Sequence, residues 1–569
     1  MHDLLIRGGL VVDGTGLPGR PADVAVNDGK VTAIGRLSGE AAQRVIDADG
    51  LVVAPGIVDA HTHYDPQITW DPLCDTSALH GVTTVAAGNC GFSVAPCRMD
   101  DHDYLAQLFA RVEGMELRAL SQVGWNFSTF AEFLATRPGT LGINLGMYVG
   151  HSAIRRWLLG DEAYERAASE GEIAAMAGMV DEAMAAGALG FSSSHAPTHL
   201  DLADRPVPSR LASLDEVRAL ADAVGRRGRG SIAYAPGSAV EGIDAADRAL
   251  LEELAARGGV PVITQGLGGR SKVDAPSKAW EQSRTFLDGS AERGAPVFSL
   301  LMTRAFNGTF TLREGSSRYD GVPLWRELMG LDWEERRRRL ADPGWRERLR
   351  DAIDHPNTDA ARGSTLPPPI WDVLAIEETS SASHGKDVGR EVGALARERD
   401  THPADVMFDL ALADPDALFH WTNETPAWRE LLREVQRHPQ MIVGVSDGGA
   451  HLDFDDGAEW STHFLATWWR EERVWRLEEA IRRITAIPAA VLGLTDRGVL
   501  RPGGAADIFI FDPERLALGR RRKDVDRITG TPRFRSSVIG VRATIVNGEV
   551  VVEDGMPTSA TPGQVVRPA

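Results

Sequence analysis

The chain has 569 residues, 43% of them hydrophobic and 25% charged, and a formal charge of −20. This is the make-up of an ordinary globular protein, and about 150 residues per domain predicts three to four domains unless one is a barrel. An acidic surface repels nucleic acid and anionic lipid, so neither is an expected partner, and no run of 18 apolar residues offers a membrane span.

From Met1 to Gly9 no apolar stretch follows a basic segment, so no secretory signal is visible. Only three cysteines occur, Cys74, Cys90 and Cys97, an odd number that argues against a disulfide framework and fits a reducing, cytoplasmic compartment. Residues 1–55 read as short strands separated by Asp13-Gly14, Pro18-Gly19 and Asp28-Gly29 turns. The same character returns at Ala506 to Phe511, Val538 to Val546 and Val550 to Val552, so 1–55 and 496–569 are expected to build one small β-sandwich.

Between them, eight strand-like runs alternate with helical segments. The runs are Gly56 to His63, Thr83 to Gly91, Asn144 to His151, Ala188 to His195, Gly230 to Pro236, Pro261 to Gly266, Pro296 to Met302 and Met441 to Asp447. Helical periodicity marks Glu172 to Ala185, Leu214 to Val224, Ala245 to Ala256 and Leu477 to Thr485. The expected fold is α/β, a (β/α)8 TIM-like barrel over 56–495. The long gap at 303–440 holds the Trp- and Arg-rich stretch Trp333 to Arg350 and the prolines Pro367 to Pro369, and reads as an inserted, partly helical cover over the barrel mouth.

Three motifs carry chemistry. In Asp59-Ala60-His61-Thr62-His63-Tyr64-Asp65, residues i and i+2 of a strand share a face, so His61 and His63 point together and can hold one divalent metal. A His-X-His also arises by chance, but its place after Ala54-Pro55-Gly56 at the first barrel strand favours the metal. Asp447 ends the last strand in Gly444-Val445-Ser446-Asp447-Gly448-Gly449-Ala450-His451, where barrel enzymes place catalytic groups, although Ser-Asp-Gly-Gly alone is also a good turn. Cys90, in Gly88-Asn89-Cys90-Gly91 at the end of the second strand, is either a thiolate ligand or a small core residue. His151, His195 and His199 follow the third and fourth strands and are candidates for substrate contact or further ligation. Arg304 follows the seventh strand and can bind an anionic group or form a salt bridge.

Together these motifs resemble the amidohydrolase superfamily and, within it, the D-aminoacylase (N-acyl-D-amino-acid deacylase) family in a long form. The likeness also runs through Asp3-Leu4-Leu5-Ile6-Arg7-Gly8-Gly9, Gly81-Val82-Thr83-Thr84-Val85, Val149-Gly150-His151 and Gly498-Val499-Leu500-Arg501-Pro502-Gly503-Gly504. The resemblance implies a split β-sandwich around a metal-bearing barrel, with His61, His63, Cys90 and Asp447 on the metal and Asp447 as base toward the attacking water. Two departures stand out. The family's fifth and sixth strands deliver histidines, whereas this chain has Ser231-Ile232-Ala233-Tyr234 and Ile263-Thr264-Gln265-Gly266.

The expected function is therefore metal-dependent cleavage of an amide-type C–N bond in a small molecule, foremost an N-acyl D-amino acid, with one or two Zn²⁺. Hydrolysis of a cyclic amide or imide by the same site, or a metal-poor barrel that only binds, are the competing readings. The oligomeric state is left open.

Overall fold

The computed structural model describes residues 1–201, 203, 205–239, 242–267, 276–305, 307–316, 319, 321–356, 370–422, 424–451, 455, 457–526 and 529–569. The proline run Pro367 to Pro369 lies outside the described residues.

Eight short runs of β-branched and apolar residues form a wholly parallel sheet. They are β1 (Ile57–Asp59), β2 (Val82–Ala87), β3 (Asn144–Gly150), β4 (Gly190–Ser194), β5 (Ser231–Ala235), β6 (Val262–Thr264), β7 (Val297–Leu301) and β8 (Met441–Val443). The sheet runs in chain order from β1 to β8. These are the eight runs expected from the sequence. Their residues are almost all buried, as in parallel sheets covered on both faces. Beyond their ends, Thr62 and Gly448 form a parallel bridge that brings the continuations of the first and last strands together. Tyr148 on β3 reaches Ser231 on β5 with a 2.6 Å hydrogen bond, skipping the strand between them, so it crosses the interior. Val58, Ala86, Tyr148, Leu189, Ala233, Ile263, Leu300 and Ile442, from or beside each strand in turn, share one apolar cluster.

Helices return the chain between strands. The helix Glu170–Ala186 shows why they begin and end where they do. Ser169 and Glu172 form a capping box, and Gly187 ends the helix in the left-handed region. The expected runs overshoot the paired residues most in three strands: β1 stops at Asp59, β2 at Ala87 and β8 at Val443, because the segments carrying His61, Cys90 and Asp447 leave the ladder.

Both ends of the chain build one nine-stranded sheet. The N-terminal strands His2–Val11 and Val52–Pro55 pair, and the latter also pairs with Ile508–Phe511. The sheet curls back on itself, since Val31 N–H donates to the Gly504 carbonyl and accepts from Gly503 N–H through its own carbonyl. Ile6, Val24, Val53, Ile508, Ile510 and Ile545 meet inside it. The last residues leave this sheet, and Val566 N–H donates to Leu145 of β3.

The chain separates into two compact units, one of residues 1–196, 201–304 and 431–569, the other of 197–200 and 305–430. The second has its own three-stranded sheet, Asn307–Phe310, Leu418–Thr422 and Leu374–Glu378 in that order, all antiparallel. Its core stacks Tyr319 on Trp325. The Arg336 guanidinium there donates to the carbonyls of Leu312, Arg313, Leu328 and Leu331. Among the described residues no helix is long and apolar enough to cross a membrane.

Candidate active site

The site grows from three strand ends. After β1 the backbone stays extended, held by Thr62 N–H on the Ala86 carbonyl and His63 N–H on the Gly448 carbonyl. After β2 the Asn89 side chain donates to the carbonyls of Thr62 and Ala86, tying the Cys90 turn to the histidine segment. Gly88 is required there, since a Cβ would lie 2.3 Å from the Tyr148 carbonyl oxygen. Gly449 plays the same part after β8, where a Cβ would sit 2.8 Å from the His63 carbonyl oxygen at a φ of +91°. Cys90, Asp447 and His451 all hold positive φ, at 56°, 50° and 56°. Left-handed backbone is uncommon for residues other than glycine, and at Cys90 in particular it costs energy that the surrounding structure must supply.

These turns bring four of the expected residues together. The ligand atoms of His61, His63 and Cys90 lie within 4.8 Å of one another. Asp447 Oδ1 is 3.3 Å from His61 Nε2, and Cys90 Sγ is 3.7 Å from the same nitrogen. Two further residues stand in the group that the sequence did not flag. Glu113 Oε2 is 3.3 Å from His63 Nε2, and the Gln265 amide donates to Cys90 Sγ at 3.5 Å. Gln265 follows β6, where a histidine was looked for. Glu113 lies between β2 and β3 in Val112-Glu113-Gly114, a stretch whose only signal is a glycine after a helix.

The electrostatics are those of acids buried against acids. Burial pushes Asp59 up to about 7 although Ser446, His61 N–H and Trp460 bond to it. Burial likewise takes Asp65 to about 7. Glu113 is driven well above the usual carboxyl range by burial, then by Asp447 and Asp65. The Cys90 thiol is raised by burial, then by Glu113 and Asp447. His61 is lowered to about 4 by burial and is therefore neutral, as a ligand must be. Two imidazoles, a thiol and carboxylates within a few ångströms are a zinc-type donor set, and a divalent cation held there would favour the ionised forms of the acids beside it. The residues present fit such an ion.

The other candidates are arranged differently. His151 has both ring nitrogens engaged, Nδ1 with Ser193 and Nε2 with Glu216, each at 2.8 Å. His195 Nδ1 is hydrogen-bonded to Tyr234, the residue on β5 where a histidine was looked for, at 2.8 Å. His199 falls in the second compact unit. Arg304 forms a buried two-pronged pair with Asp455 at 2.9 and 2.7 Å, the salt-bridge alternative of the two left open.

Residues 44–552 match the model of the amidohydrolase family. An uncharacterised Mycobacterium tuberculosis protein is 31% identical, over 97% of this chain and 92% of its own length. The N-acyl-D-aspartate deacylase of Alcaligenes xylosoxydans xylosoxydans is 29% identical, over 100% of this chain and 95% of its own. The crystal structure of N-acyl-D-glutamate deacylase from Bordetella bronchiseptica, complexed with zinc and a phosphonate inhibitor, superposes with a TM-score of 0.62 at 24% identity, over 100% of this chain and 99% of that one.

Proposed function

The chain belongs to the amidohydrolase family, and from that membership and the site we propose that it hydrolyses an amide-type C–N bond of N-acylated D-amino acids. The convergence of His61, His63 and Cys90 beside Asp447 carries this reading. The near full-length similarity to a deacylase of N-acyl-D-aspartate supports the substrate class. Buried free cysteines suit a cytoplasmic setting.

In this proposal His61, His63, Cys90 and Asp447 hold one Zn²⁺. When bound, such an ion lowers the pKa of water toward about 7 and polarises a carbonyl. The chain's own residues do the rest. The Asp447 carboxylate takes a proton from the attacking water and returns it to the leaving nitrogen, which needs a group within hydrogen-bond reach of both. The Gln265 amide donates to Cys90 Sγ and so favours its thiolate. His195 and His199 remain the histidines for substrate contact, since both nitrogens of His151 are engaged.

The test is elemental analysis together with a substrate panel of N-acyl-D-amino acids, N-acyl-L-amino acids and cyclic imides. About one equivalent of metal with turnover confined to the D series is expected. Turnover confined to the imides would move the reaction to ring opening. A chain that binds no metal after reconstitution and turns over nothing would leave a binding barrel.

A further inference from the structure

Glu113 enters the site from outside the strand ends that deliver the other groups, and it is held from two directions. It caps the helix His102–Val112, its N–H bonded to the Phe109 carbonyl. Its carbonyl accepts from His451 N–H at 2.8 Å, so the segment is fastened to the turn that carries Asp447. Gly114 lets this approach happen, because a Cβ there would sit 2.9 Å from His451 Nδ1 at a φ of +60°. Glu113 is 5% exposed.

Its direction matters more than its burial. A carboxylate that only orients a ligating imidazole sits behind the ring, on the nitrogen that faces away from the metal. The Nε2 atom of His61 faces Cys90 and Asp447. The Nε2 atom of His63 faces Glu113 Oε2 at 3.3 Å. Glu113 also stands among the charges that act on Cys90. It therefore lies at the Nε2 edge of the His63 ring and close enough to Cys90 to act on its thiol.

We infer that Glu113 is itself a metal-directed ligand, a carboxylate that completes the donor set on the His63 side while Asp447 does so on the His61 side. This rests on the metal-dependent reading above. It gives the centre two nitrogens, one sulfur and two carboxylates drawn from four separate segments, without any histidine from β5 or β6.

The experiment compares the wild type with Glu113→Gln and Glu113→Ala by Zn²⁺ and Co²⁺ titration, by the visible absorption of the Co²⁺-loaded protein, and by thermal melting of the metal-free protein. Expected are a Kd weakened by at least the roughly 10- to 100-fold that losing an outer-shell partner costs, an altered Co²⁺ spectrum, and metal-free melting unchanged or higher in Glu113→Gln. Glu113→Asp, which keeps the charge one methylene further back, should fall between. Affinity within twofold of wild type would overturn the inference. So would weaker binding with an unchanged Co²⁺ spectrum, which would make Glu113 only a hydrogen-bond partner of His63. A wild type that takes up neither ion would instead overturn the metal reading itself. If Glu113→Ala does not fold, Glu113→Gln decides.

Discussion

Two buried clusters in the same barrel look alike by composition and behave oppositely. At the strand ends, His61, His63, Cys90, Glu113 and Asp447 crowd together. Near β3 and β4, His151 meets Glu216 and Ser193, and Arg155 grips both oxygens of Glu216 at 2.7 and 2.5 Å. Burial raises Glu216 too, but the hydrogen bonds and charges of His151 and Arg155 bring it below its usual range. Glu113 is raised by burial and raised again by Asp447 and Asp65. A histidine beside a buried carboxylate is thus no mark of a site by itself. The mark is charge of one sign gathered with backbone strain, an arrangement that a bound cation relieves.

The comparison can be broken where the effects are largest. Asp447→Asn should cut turnover about 10²- to 10⁴-fold, the usual worth of a positioned general base, while the unfolding midpoint in denaturant stays at the wild-type value or rises. A matching loss of stability would make Asp447 part of the framework. Glu216→Ala should do the reverse. It leaves the Arg155 guanidinium buried without its partner, which costs on the order of 3–5 kcal/mol in unfolding free energy, with metal content per folded molecule unaltered. Unfolding free energy within about 1 kcal/mol of wild type would show that the second cluster is not the anchor its geometry suggests.

A smaller effect isolates burial from pairing. His80, bonded through Nδ1 to Thr462 at 2.9 Å, is lowered to about 4 by burial, with Glu459 only partly offsetting. A histidine whose folded pKa is depressed stabilises fully above about 6.5, and that contribution is lost as pH falls from 6.5 toward 4, because only the unfolded chain takes up the proton. The wild type should lose on the order of 3 kcal/mol more than His80→Gln across that window, read as unfolding free energy against pH. Parallel curves would show that His80 is protonated in the fold.

Legibility followed the same division. The runs that became β1 to β8 were visible because period and composition are local, and His61, His63, Cys90 and Asp447 were visible because each sits at the end of such a run. Glu113 and Gln265 were not. Nothing in Val112-Glu113-Gly114 distinguishes it from any helix end, and Gln265, though at the end of a strand run, is a residue type that does not announce a metal site. His151 and His61 both follow a strand, and only the structure shows that one is engaged at both nitrogens and the other faces a thiol and a carboxylate. Arg304 was open between an anion and a salt bridge until Asp455, 151 residues away, appeared beside it.

The amino-acid order by itself determined the alternation of eight strands with helices, the joining of both ends in one sheet, and the segments that supply imidazole, thiol and carboxylate. Tertiary structure alone decided which buried charges are neutralised and which are left facing one another. The physical reason is range. Hydrophobic period and turn chemistry act between neighbours in the chain, whereas the pairing of Glu216 with Arg155, or of Glu113 with His63, depends on atoms that the sequence keeps about fifty or sixty residues apart and only packing brings within a few ångströms.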